Sequence, residues 1–141
     1  MNLAVKLTLA ASGLFLMAGL LGGVLKYRGI MASATHRAHP YIDVAHRASL
    51  MYSFAALVMA TLLAYSPYPL AVQLAITGVP LFFFTVAIAR YFQLGLAGKT
   101  TNQFSERNFN TTWGMALLII GEVGGVGAIF WGYLSTQLAG N

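Results

Sequence analysis

Cysteine is absent from the chain. This excludes disulfides, thiolate metal sites, cysteine nucleophiles and haem attached covalently through a C-x-x-C-H motif. Any metal or cofactor must be held through nitrogen or oxygen. Charge is scarce as well: 8% of residues are charged, with three acidic side chains against eight basic ones, where a soluble domain carries about 25%. Nucleophile elbows, phosphate-cradling glycine loops and paired carboxylates are also missing, so hydrolase and nucleotide chemistry lack their residues. The net charge of +5 comes with no motif for base or phosphate recognition, because the cations flank apolar segments. Lipid headgroups or cofactor carboxylates are the expected partners, and nucleic acid is not.

What is abundant is apolar sequence, at 58% of the chain. Leu7 to Leu25, Ala48 to Tyr65, Leu70 to Ala89 and Thr112 to Leu134 each supply about the 20 residues that a helix needs to cross roughly 30 Å of hydrocarbon. Glu122 is the single charged residue among them. The pattern predicts an all-α integral membrane four-helix bundle, one transmembrane domain over residues 1–141. The first run is too long for a signal-peptide core and is expected to stay as a helix. Ser66-Pro67-Tyr68-Pro69 reads as a tight turn, since neither proline continues a helix. The other connections, Lys26 to Arg47 and Arg90 to Thr111, are about 22 residues each, long enough for interfacial helices or lids. Lys26, Arg28, Arg37, Arg47, Arg90, Lys99 and Arg107 fall in or beside these two loops, and Lys6 is the lone cation on the opposite side. The positive-inside rule puts both loops in the cytoplasm and both termini on the outer side of what is expected to be a bacterial inner membrane.

All three histidines, His36, His39 and His46, lie just ahead of the second span. His46 is the nearest, and a neutral imidazole at the membrane boundary is a candidate axial ligand for haem iron. The plainer reading places it in the headgroup layer beside Arg47. His36 and His39, next to Pro40, read as surface residues, and the spacing of the three matches no zinc pattern. Asp43, three residues before His46, either orients that ring or caps the second helix.

Glu122 must face the bundle interior or a subunit contact, because a charge in lipid costs roughly 2.5 to 3.5 kcal/mol. It reads as a protonated or hydrogen-bonded packing residue, or as a proton relay. Around it Gly121 with Gly125 and Gly124 with Ala128 make small-xxx-small pairs, matched by Gly19-xxx-Gly23 on the first span; all three allow close helix approach. Arg90 and Tyr91 end the third span at the depth of His46. Tyr91 can donate a phenolic hydrogen bond, and Arg47 and Arg90 can neutralise cofactor carboxylates. The alternative for all of them is an aromatic belt with snorkelling arginines, which Trp113 and Trp131 fit directly. Phe82-Phe83-Phe84 reads as packing.

Ala45-His46-Arg47-Ala48-Ser49-Leu50-Met51 opens the second span, Arg90-Tyr91-Phe92 closes the third and Asn102-Gln103-Phe104 precedes the fourth. In these segments, over roughly residues 40 to 138, the chain resembles the styrene oxide isomerase family. The resemblance implies a four-helix membrane protein that assembles as a trimer and holds haem b. By position, His46 corresponds to the haem-ligating histidine and Tyr91 to the tyrosine that orients the epoxide, whose oxygen the ferric iron takes as a Lewis acid on the way to an aldehyde. The chain departs from the family at three substrate-side positions: Ala87 and Tyr52 stand where the family has asparagines, and Phe83 where it has an aspartate. The expectation is therefore a haem b protein of this fold acting on a small apolar substrate such as an aryl epoxide. The alternatives are a non-catalytic haem protein for electron transfer or gas and redox sensing, and a cofactor-free accessory subunit of a membrane complex.

Overall fold

Apolar runs with almost no internal charge become helices in lipid because only a helix satisfies its own backbone groups there. The computed structural model of the protein describes residues 1–138. It is all-helical, with α1 over Leu3–Ala32, α2 over Pro40–Leu63, α3 over Leu70–Ala97 and α4 over Met115–Leu138, the last preceded by a π-helical turn at Asn110–Gly114. All four helices are long and apolar enough to cross a membrane.

The helices overrun the apolar windows mainly at the long-loop end. At 1.5 Å per residue α1 is about 45 Å long, so its last turns, with Lys26 and Arg28, extend past the hydrocarbon. α2 starts at Pro40, a residue suited to the first helical turn, and its cap is the Nδ1 of His39, which accepts from the Tyr41 backbone N–H at 3.2 Å. Asp43 is therefore not the cap. It sits in the first turn, where a carboxylate favours the helix dipole, and pairs with Lys26 at 2.5 Å and Arg47 at 2.9 Å.

α1 packs chiefly along α2, α3 packs on α2, and α4 packs on α3 and more lightly on α2; α1 and α4 do not touch. The core lies between the first three helices, built from Phe15, Met59, Leu63, Phe84 and Ile88, with Ile129 brought in from α4. Close approach is set by glycine. A Cβ on Gly22 would stand 3.2 Å from the His46 Cα, and one on Gly95 would stand 2.8 Å from the Ile42 nitrogen. Most large side chains of α4 point away from the other helices, among them Ile120, Val123 and Trp131.

Each end of the bundle is laced by polar contacts. At the short-turn end Asn2 donates to buried Gln73 at 2.7 Å, and Gln73 donates to the Tyr68 carbonyl at 2.7 Å. At the long-loop end the Tyr41 hydroxyl accepts from the Gln103 backbone N–H at 2.7 Å, which pins the α3–α4 loop onto the start of α2.

Candidate functional site

His46 lies in the second turn of α2, with its ring in the groove that Gly19 and Gly23 open on α1. A Cβ on Gly23 would meet the ring at 3.1 Å. The ring Nδ1 is 2.7 Å from the Gly19 carbonyl oxygen. A carbonyl only accepts, so Nδ1 carries a proton and donates. In the neutral ring Nε2 then presents a bare lone pair, the tautomer a histidine adopts when its other nitrogen donates to a backbone carbonyl. The orienting partner is a backbone carbonyl of α1; Asp43, which the sequence offered either as orienting this ring or as the helix cap, does neither. The Gly19-xxx-Gly23 pair was visible in the sequence as a packing ridge, and nothing in the sequence marked it as the seat of this imidazole.

The other two histidines do not join it. His36 is exposed in the α1–α2 loop at φ 52°, and His39 is committed to its cap and stacked beside Tyr41. Among the described residues no three His, Asp or Glu side chains gather to hold a metal ion. A metal held by protein ligands alone therefore has no ligand set. A porphyrin supplies four of its own nitrogens and would ask one imidazole of the protein; among the described residues His46 keeps Nε2 without a hydrogen-bond partner.

Arg47 follows His46 with its side chain 66% exposed and one nitrogen on Asp43. Arg90 and Tyr91 lie elsewhere, on the α3–α4 side, where a cavity of about 350 Å³ runs between the two helices. Phe83 and Ala87, two of the departures from the family pattern, form part of its wall, and the third, Tyr52, stacks on Phe84 in the core with ring centres 4.1 Å apart. Tyr91 stacks against Tyr41 at 6.2 Å. A second cavity, of about 280 Å³, lies beside Lys26, Arg37 and Asp43. His46 lines neither, so within one chain the four residues singled out from the sequence divide into two places: His46 with Arg47, and Arg90 with Tyr91.

Sequence reasoning missed the α3–α4 cavity because two irregularities make it. The π-helical turn, in which the Gly114 N–H donates to the Phe109 carbonyl at 2.8 Å, widens the start of the last helix. Ala87 leaves space opposite it. Glu122 is partly buried one turn beyond Leu118, and its Oε1 is sealed from solvent with no hydrogen-bond partner. Gly121 and Gly125 seat this stretch of α4 against Phe83 and Pro80 of α3, while Gly124 and Gly127 face open space.

Fold and site together define a class, a multi-pass α-helical protein with four helices of membrane-spanning length. No protein-family model matches the chain, and no curated protein or solved structure is significantly similar to it.

Proposed function

We propose that the protein is a membrane-embedded haem b protein of the epoxide isomerase type, acting on a small apolar substrate such as an aryl epoxide. The observation that supports this reading most directly is the 2.7 Å contact from His46 Nδ1 to the Gly19 carbonyl, which leaves Nε2 available to iron. Haem, when bound, would supply Lewis-acid chemistry for opening an epoxide. The chain's own residues do the holding. His46 would hold the haem through Nε2, Arg47 and Arg90 would meet its propionates, and Tyr91 would offer its hydroxyl to the substrate oxygen.

His46 and Tyr91 sit on separate seams of the protomer. The trimer that the family resemblance implies would have to bring a His46 and a Tyr91 from different copies together, and the small residues Gly124 and Gly127, open on the outer face of α4, would let another helix approach there. The same reading puts the long loops in the cytoplasm of a bacterial inner membrane. A haem carrier of electrons usually has two axial ligands. The exposed His36 and the capping His39 offer no second imidazole, which favours catalysis over transport.

The test is the absorption spectrum of protein purified in detergent after expression with haem supplied. An intense Soret band that disappears in His46→Ala is expected, together with conversion of styrene oxide to phenylacetaldehyde that depends on the iron's oxidation state. Colourless, folded protein would overturn the haem reading. A coloured protein that leaves the epoxide untouched would remove the isomerase and retain the haem.

A further inference from the structure

The second cavity, of about 280 Å³, lies where the last turns of α1 meet the loop to α2, and is lined by Lys26 and Ile30 of α1, His36, Arg37 and Ala38 of the loop, and Asp43 of α2. Gly29 lets that loop close onto α1, since a Cβ there would stand 3.3 Å from the Ala38 Cβ. The His36 N–H donates to the Ser33 carbonyl at 3.0 Å, and His36 takes a left-handed φ of 52°. The chain turns back at this point, and Arg37 comes to share a wall with Lys26.

The cations of this wall are open to a ligand. The Lys26 side chain is 34% exposed, and an ammonium has three donors, of which Asp43 takes one. Arg37 is exposed, and among the described residues it belongs to neither of the ion pairs, Lys26–Asp43 and Arg47–Asp43. Asp43 is the one carboxylate on the wall, with Oδ1 on Lys26 and Oδ2 on Arg47. Two fixed cations against one carboxylate leave the cavity a single positive charge in excess. A phosphodiester carries a single negative one.

Depth names the source of that phosphodiester. The apolar run from Leu7 to Leu25 is roughly 28 Å of helix at 1.5 Å per residue, so Lys26 falls where the hydrocarbon ends and lipid phosphates begin. At roughly 30 Å³ per non-hydrogen atom, the share of a water molecule in the liquid, the cavity takes about nine. That is a phosphate with a glycerol-sized group, and it excludes acyl chains. The chains have a path outside it on the same helix, where Leu20, Val24, Tyr27 and Met31 form an exposed apolar stripe at helical spacing.

We propose that this cavity binds the phosphodiester head of an anionic glycerophospholipid from the leaflet at the long-loop end, the phosphate between Lys26 and Arg37 and the chains along the outer stripe of α1. Basic pockets at the membrane boundary select acidic heads in this way. A choline head brings the same phosphate with a fixed positive charge beside Arg37, and is disfavoured. The phosphate is held by none of His46, Arg47, Arg90 and Tyr91, so the site stands or falls apart from the haem reading.

The full chain in dodecyl maltoside is titrated with palmitoyl-oleoyl phosphatidylglycerol and with the matching phosphatidylcholine, and bound lipid is counted by native mass spectrometry. One phosphatidylglycerol per chain at saturation is expected, held about tenfold more tightly than phosphatidylcholine. Arg37→Gln should bring the two lipids to equal affinity. Arg28→Gln, which removes the same charge from an exposed position of α1 outside the cavity, should leave the preference intact. Equal affinity for the two lipids in the wild-type chain overturns the proposal without recourse to any variant. So does a loss in Arg28→Gln as large as that in Arg37→Gln, which would mark a general attraction to the basic end. Glycerophosphoglycerol, the same head without chains, separates the sources. A large excess of it should leave the bound lipid in place; displacement at concentrations comparable to the lipid's would assign the cavity to a soluble phosphodiester and overturn the lipid site.

Discussion

At the scale of single residues, glycine decides where helices touch, and its positions divide into two kinds. Gly95 lies under Ile42, where a Cβ would come within 2.6 Å of a side-chain carbon and 2.8 Å of the backbone nitrogen; the nitrogen cannot retreat without moving α2. Gly95→Ala should therefore destabilise by about 1–3 kcal/mol, the usual cost of overpacking. Gly124 meets nothing within 4 Å, and Gly124→Ala should be neutral or stabilising by up to about 1 kcal/mol through helix propensity alone. Unfolding by sodium dodecyl sulfate in mixed micelles measures both. His46→Phe keeps the bulk in the α1 groove and removes the donor to the Gly19 carbonyl, so it should cost about 1 kcal/mol in the same assay even without any cofactor. A stability unchanged in His46→Phe would show that the hydrogen bond contributes nothing to the fold. The sequence marked His46 and the Gly19-xxx-Gly23 pair, but a hydropathy pattern carries no information on which way one polar ring turns, and so it could not join them.

Among the elements, α3 and α4 are matched through a proline. Pro80 has no N–H to give the Ile76 carbonyl one turn back. Gly125 sits over that carbonyl, so that a Cβ there would stand 2.7 Å from the Ile76 oxygen and equally close to the Pro80 ring. The glycine lets α4 close over a backbone acceptor that the proline leaves free. Gly125→Val should push α4 outward and widen the cavity beside Arg90. Because the chain has no cysteine, two introduced thiols, one on each helix, report the separation by electron–electron distance measurement. A lengthened and broadened α3–α4 distance is expected, with the α1–α2 distance unchanged. The existence of the four helices was legible because long apolar runs have one solution in lipid, and the turn at Ser66-Pro67-Tyr68-Pro69 was legible from proline chemistry. Their ends were not. α2 begins with Tyr41, Asp43 and Arg47, residues that lower a hydropathy window, and the polar turns of α1, α2 and α3 lie outside the stretch that hydrophobicity selects. The π-helical turn left no sign in the sequence because it is a choice of hydrogen-bond register, and the cavity it opens was hidden with it.

Across the described residues, four antiparallel helices place the start of α1, the end of α4 and the short turn at one end and both long loops at the other, and charge then distinguishes the ends. Seven of the eight cations lie at the long-loop end, in connections short enough for the positive-inside rule to apply. Asp43 neutralises little of this, because it is shared between Lys26 and Arg47. The prediction is that Ala34→Cys and Ser105→Cys, both at exposed positions in the long loops, react with a membrane-impermeant maleimide only after the cells are opened, whereas Ala64→Cys at the short turn reacts in intact cells. The reverse pattern would mean that Lys6 and the N-terminus face the cytoplasm and that the charge asymmetry does not set the orientation.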